Sequence, residues 1–85
     1  VAWDEASEAH VARHAITPDE VEDVLFCRPR LVQAGLHGTT YVMGTTLAGW
    51  YLFVVVAEAG RGGVHVVTAR EMTEAERRRF GRRAR

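Results

Sequence analysis

The sequence has no lysine: all eleven of its basic residues are arginine. So uniform a choice fits a genome-wide compositional habit, although arginine is also the side chain suited to bidentate phosphate recognition. Cysteine occurs once, as Cys27, which excludes an intrachain disulfide and a metal site built from thiolates. Net charge is formally zero, so bulk charge gives no reason to expect nucleic-acid affinity. The longest apolar run, Trp50 to Ala57, is far too short to span a bilayer. No signal peptide, linker, repeat or low-complexity segment is recognisable in these residues, so none is expected, and a cytoplasmic protein is the default expectation. A Gly-rich phosphate loop, a nucleophile elbow and a pair of catalytic carboxylates are all missing.

What remains is an ordinary globular composition, 47% hydrophobic and 26% charged in 85 residues, enough for one small domain with a modest core, residues 1–85. Charge is distributed unevenly. Residues 1–25 hold seven acids against one arginine, and residues 70–85 hold seven arginines against three acids. Such polarity can serve ligands of opposite sign at the two ends, or simply solvate two helix faces.

Helical spacing and caps place the helices. Val1 to Trp3 reads as a short strand or lead-in. Asp4 is an N-cap for a helix to about His14, with Trp3, Ala6, His10 and Arg13/His14 on one stripe. "ITPDEVEDVLF" holds a capping box, Thr17 with Glu20, and Pro18 at the first helical position. Val21, Val24 and Leu25 form the buried face, and Pro29 stops the helix. From Leu31 the period changes to two. "RLVQAG", "TTYVMGTT", "WYLFVVVAE" and "GVHVVTAR" read as four strands joined by hairpin-sized, Gly-containing turns. The third, apolar on both faces, is expected to be central. A last helix starts at Thr73, boxed by Glu76. The fold class expected is α+β: two N-terminal helices, a four-stranded antiparallel sheet, and a C-terminal helix.

Alternation along "VHVVTAR" places Val64, Val66, Thr68 and Arg70 on one face, with Arg70 at the strand end. A guanidinium held on such a scaffold is preorganised for phosphate. The plainer reading pairs it with Glu71 or Glu76. In the last helix Met72, Glu76 and Phe80 share a stripe expected to dock on the sheet. Arg77, Arg78, Arg79, Arg82 and Arg83 fan out around it, as a track for RNA phosphates or as a solubilising end. Arg13 and His14 join a fixed cation to a group that exchanges protons near neutral pH. His10 and His14 have the i, i+4 spacing of two metal ligands, but "HVARH" lacks a zinc-protease glutamate and fixes no third ligand. No metal or cofactor is therefore expected. His37 and His65 are isolated. Asp19, Glu20, Glu22 and Asp23 read as capping and solvated face.

Three stretches, "WDEASEAHVARHAITPDEVEDV", "TYVMGTTLAGWYLFVVVAE" and "VVTAREMTEAERRRF", together resemble the BrnT-like toxins of bacterial type II toxin–antitoxin systems over nearly the whole chain. They are similar to the family's opening Trp-Asp and basic-His pair, its Gly-turned central hairpin, and its Ser-Ala-Arg strand end with a Glu-Arg helix. The resemblance implies a RelE-like fold and a ribonuclease that blocks translation. It also implies a cognate antitoxin partner, of ribbon-helix-helix type. By position, Arg13 and His14 match the basic-His pair, Arg70 the strand-end arginine, and Glu76 and Phe80 the closing helix. The family usually has Lys at Arg13, Gly at Ala15 and an aromatic hydroxyl at Phe80. It often carries an arginine near Thr40, where this chain has none.

The residues themselves supply a mechanism for RNA cleavage without metal, in which the ribose 2′-OH attacks the adjacent phosphorus. Arg13 and Arg70 would supply charge and His14 a proton path, with His37, Tyr41 or the substrate as the second proton-transfer group. Arg77, Arg78, Arg82 and Arg83 would bind RNA. Two other functions are compatible with the sequence: a degenerate relative that keeps antitoxin binding without catalysis, and a non-catalytic RNA-binding module.

Overall fold

The computed structural model describes residues 1–60 and 62–84. Arg61, in the third Gly-containing turn, and Arg85, in the basic C-terminus, lie outside the described residues. The chain runs α1 (Glu5–Ala12), α2 (Pro18–Phe26), β1 (Arg30–Ala34), β2 (Thr39–Thr45), β3 (Tyr51–Glu58), β4 (Val64–Glu71) and α3 (Glu74–Arg83). The α+β arrangement expected from the sequence is the one found.

Each helix begins where a side chain satisfies its orphan amides. Asp4 and Ser7, Thr17 and Glu20, and Thr73 and Glu76 all form reciprocal capping boxes. The four strands form one antiparallel sheet in the order β1-β2-β3-β4, so β3 is internal as its apolar character requires. Ala2 adds a single parallel bridge to His65, and the short N-terminal strand reduces to that one residue.

The sheet has two different faces. Leu52, Val54 and Val56 point from β3 into the main core, packed with Val11 of α1 and Val21, Val24 and Leu25 of α2. Helix α2 approaches so closely at Gly44 that a Cβ there would sit 3.2 Å from Val24 Cγ1. Tyr51, Phe53 and Val55 point the other way, where α3 lies. There Met43, Met72 and Phe80 form a smaller cluster with Leu31, Tyr51 and Phe53. The Met72/Phe80 stripe thus docks as expected, with Glu76 half-buried beside it.

Two sequence-based placements change. The α1 residues that pack inward are Ser7 and Val11, while Ala6, His10, Arg13 and His14 are exposed. In β4 the register shifts: Val55 opposes Thr68 but Val56 opposes Val66, and Val67 is the extra residue. This bulge turns the strand over. Val64 and Val66 therefore belong to the α1/α2 side, and Thr68 and Arg70 face α3.

Candidate nucleic-acid interface

Arg70 sits at the end of β4 opposite Phe53, and its guanidinium lies 4.2 Å from the centre of that ring. Nη1 and Nη2 each donate to a Glu76 carboxylate oxygen at 2.8 Å, and Nη1 also donates to the Glu71 carbonyl at 3.0 Å. The forked ion pair holds the Glu76 carboxyl below the usual glutamate range, helped by hydrogen bonds from Thr73. The same pair raises the already high Arg70 value. Arg70 thus fastens the strand to the first turn of α3. Its side chain is still 38% exposed, so one edge of the fork stays open to a ligand.

Tyr41 packs on the same Phe53 ring at 4.9 Å between centroids. Gly35 makes room for it: a Cβ at Gly35 would lie 2.5 Å from the Tyr41 ring. Arg79 reaches from α3 to Gln33 of β1 at 3.0 Å. These residues form a polar and aromatic sheet face that α3 covers in part.

His14 is elsewhere. It follows α1, where Ala15 takes a left-handed φ of 57° and Ile16 N–H closes on the Val11 carbonyl at 3.0 Å. That reversal exposes His14 and buries Ile16. A cleft of about 240 Å³ opens here, lined by His14, Ala15, Ile16, Glu20, Trp50, Leu52 and Glu71. Leu52 and Glu71 are register partners on the α1/α2 side of the sheet. His14 and Arg70 therefore stand on opposite faces of the sheet, at the same end of β4. Arg13 is exposed at the helix cap and does not line the cleft.

The cleft does not end at Trp50. Trp50 and Glu71 also line the next hollow, with Tyr51, Met72 and Arg77. Tyr51 and Arg77 in turn line a third, with Arg78 and Phe80. Arg77 rests on the Tyr51 ring at 4.3 Å, and Phe80 meets Tyr51 edge-on at 5.9 Å. A trough thus runs around the end of the sheet from His14 past Trp50 to Arg77 and Arg78. Arg83 is separate, sharing a hollow with Arg28, Arg30 and Leu31 at the β1 edge. Arg82 is exposed in the last turn of α3.

Of the other histidines, His10 packs its ring Nδ1 3.3 Å from the Val67 carbonyl, and His37 sits at the β1–β2 turn, far along the sheet from Arg70. Among the described residues no three His, Cys, Asp or Glu side chains gather with ligand spacing.

Trp50 and Glu71 went unremarked as site residues in the sequence. Trp50 reads as the start of an apolar strand, yet it is 56% exposed. Its backbone is fixed: Trp50 N–H donates to Thr46 Oγ1 at 3.1 Å and its carbonyl accepts from Thr46 N–H at 2.9 Å. Asp23 of α2 accepts from Leu47 N–H at 3.1 Å and pins the same turn, so Asp23 is more than a solvated acid. The available signal was an aromatic directly after a Gly-containing turn, at the strand's edge rather than within it.

No family model, curated protein or solved structure matches this chain in the comparisons made. Among the described residues no helix is long and apolar enough to cross a membrane.

Proposed function

We propose that this chain is a ribonuclease toxin of a type II toxin–antitoxin pair, acting on RNA by 2′-OH attack and held inactive by a cognate antitoxin. The observation that carries the reading is the trough, which sets the exposed Trp50 and the half-buried Tyr51 beside Arg77 and Arg78, with the exposed His14 at its other end. Aromatic platforms stack bases and arginines follow the phosphate backbone, the combination a single strand requires. The resemblance of the sequence supplies the reaction class.

In this reading the 2′-oxygen attacks the adjacent phosphorus, its proton leaves to a base, and the 5′-oxygen departs protonated. A 2′,3′-cyclic phosphate and a 5′-hydroxyl result. His14 moves a proton, and Arg13, which precedes it at the end of α1, adds charge outside the cleft. Arg77 and Arg78 bind phosphates along the trough. Arg70 has two roles to divide: it anchors α3 through Glu76, and its open edge can meet a phosphate. Arg82 and Arg83 add charge at the far end of α3.

A second reading, partner or RNA binding without cleavage, is favoured by one observation: the sheet separates His14 from Arg70, and Glu76 occupies both terminal nitrogens of Arg70. Inducible expression with and without the adjacent gene separates the two. Growth arrest relieved by the neighbour is the result expected. Unchanged growth with a folded protein that still binds the neighbour's product assigns the chain to the second reading.

A further inference from the structure

The cleft and the hollow beside it share Glu71 and Trp50, and the second adds an arginine. The cleft has an apolar floor of Ile16 and Leu52, an indole wall, and the carboxylates of Glu20 and Glu71. Across Trp50 stands Arg77. Glu20 has one oxygen committed to the Thr17 cap, accepting from its N–H at 3.0 Å. Glu71 has no side-chain hydrogen bond or ion pair among the described residues, so both its oxygens are open. Its root is fixed, because its carbonyl accepts from Arg70 and the next amide, Met72 N–H, donates to the Tyr51 carbonyl at 3.0 Å.

We propose that this cleft is a guanine subsite for RNA, with Glu71 reading the base edge, Trp50 stacking on its face, and Arg77 holding an adjoining phosphate. The inference rests on the RNA-directed reading above and adds its base preference. Among the bases only guanine presents two adjacent donors, N1–H and N2–H, to one carboxylate. Adenine and cytosine set an acceptor beside their amino group, and uracil flanks its single N–H with two carbonyls, so a carboxylate repels each of them in part. A basic peptide side chain would satisfy the cleft but would bring its own positive neighbours toward Arg77. A nucleotide, donor-rich at the base edge and anionic at the phosphate, fits a cleft with two carboxylates and Arg77 beyond Trp50, with Glu71 standing between the two hollows.

The test is fluorescence anisotropy with cleavage-resistant 2′-fluoro pentanucleotides, UUGUU, UUIUU, UUAUU and UUUUU, where I is inosine. The expected preference for UUGUU over UUAUU is at least about tenfold, the size of a hydrogen bond to a charged group. Inosine, which lacks the N2 amino group, should fall between them. Glu71→Gln should collapse the preference to under about threefold. Trp50→Ala should weaken all four sequences alike, by roughly fivefold or more. Equal affinity for the four, or a guanine preference that survives in folded Glu71→Gln, overturns the proposal. So does binding of a pentaarginine peptide at Trp50 with no binding of any oligonucleotide. Cleavage of RNA without base preference would leave the ribonuclease reading standing and this subsite refuted. Selective guanine binding without cleavage would do the reverse.

Discussion

Ala15 carries the clearest residue-scale consequence. Its φ of 57° is a conformation that costs an L side chain about 1–2 kcal/mol, and glycine takes it freely. Ala15→Gly should therefore stabilise the fold by roughly 1 kcal/mol after the extra freedom of the unfolded glycine is deducted, raising Tm by several degrees. Thermal denaturation checks this, and an unchanged or lower Tm would mean that the turn relaxes without cost. The two faces of β3 give a second contrast. Val54 is completely buried beneath the helices, whereas Val55 is only half-buried on the α3 side. A charge at Val55 reaches water there. Val54→Asp should cost several kcal/mol and Val55→Asp markedly less. Urea denaturation of both variants measures the gap, and equal losses would contradict the assignment of faces.

At the scale of elements, the helix starts were legible because each is written in local chemistry. Thr17 with Glu20 and Thr73 with Glu76 stand three residues apart, and the structure closes both boxes. The β4 bulge was not legible. "VHVVT" carries valine in both phases of alternation, so nothing in it marks Val67 as extra, and Arg70 was set on the same face as Val66. Only the pairing with β3 reveals the shift. The stripe on α1 changes as well: Ser7 and Val11 pack inward, while His10 stays exposed with its ring against the Val67 carbonyl.

Glu76 links the last strand to the last helix, and its lowered pKa makes that link depend on pH. Because the carboxyl titrates lower in the folded chain than in the unfolded one, the stability it contributes is complete above the ordinary glutamate value of about 4.3. It is lost as pH falls through the folded value. Wild type should exceed Glu76→Gln in stability at pH 7, and the difference should vanish below the folded value. Denaturation of the pair from pH 7 to pH 2.5 follows it. A gap that stays constant with pH would mean that the bidentate pair with Arg70 contributes nothing beyond shape.

For the whole molecule, the charge polarity seen in the sequence becomes geometry. The acids of α1 and α2 lie on one side of the sheet and the arginines of α3 on the other, and the trough passes around the strand end between them. The arginines were easy to name but not to sort. Helical spacing alone does not say that Arg77 and Arg78 share a trough with Tyr51 while Arg79 ties to Gln33 and Arg83 turns to the β1 edge. Nor does sequence separate Arg13, His14 and Arg70, which the resemblance joins and the sheet divides. That division makes the chemistry of the RNA ends the decisive observation. Purified wild type, folded His14→Ala and folded Arg70→Ala should be incubated with a ribose model RNA and its 2′-fluoro analogue, in the presence of a chelator, under single-turnover conditions. The proposed ribonuclease cleaves the ribose strand to 2′,3′-cyclic phosphate and 5′-hydroxyl ends, spares the analogue, and slows by at least about a hundredfold without His14. Intact ribose RNA with the folded wild type, or cleavage that ignores the 2′-hydroxyl, would contradict it.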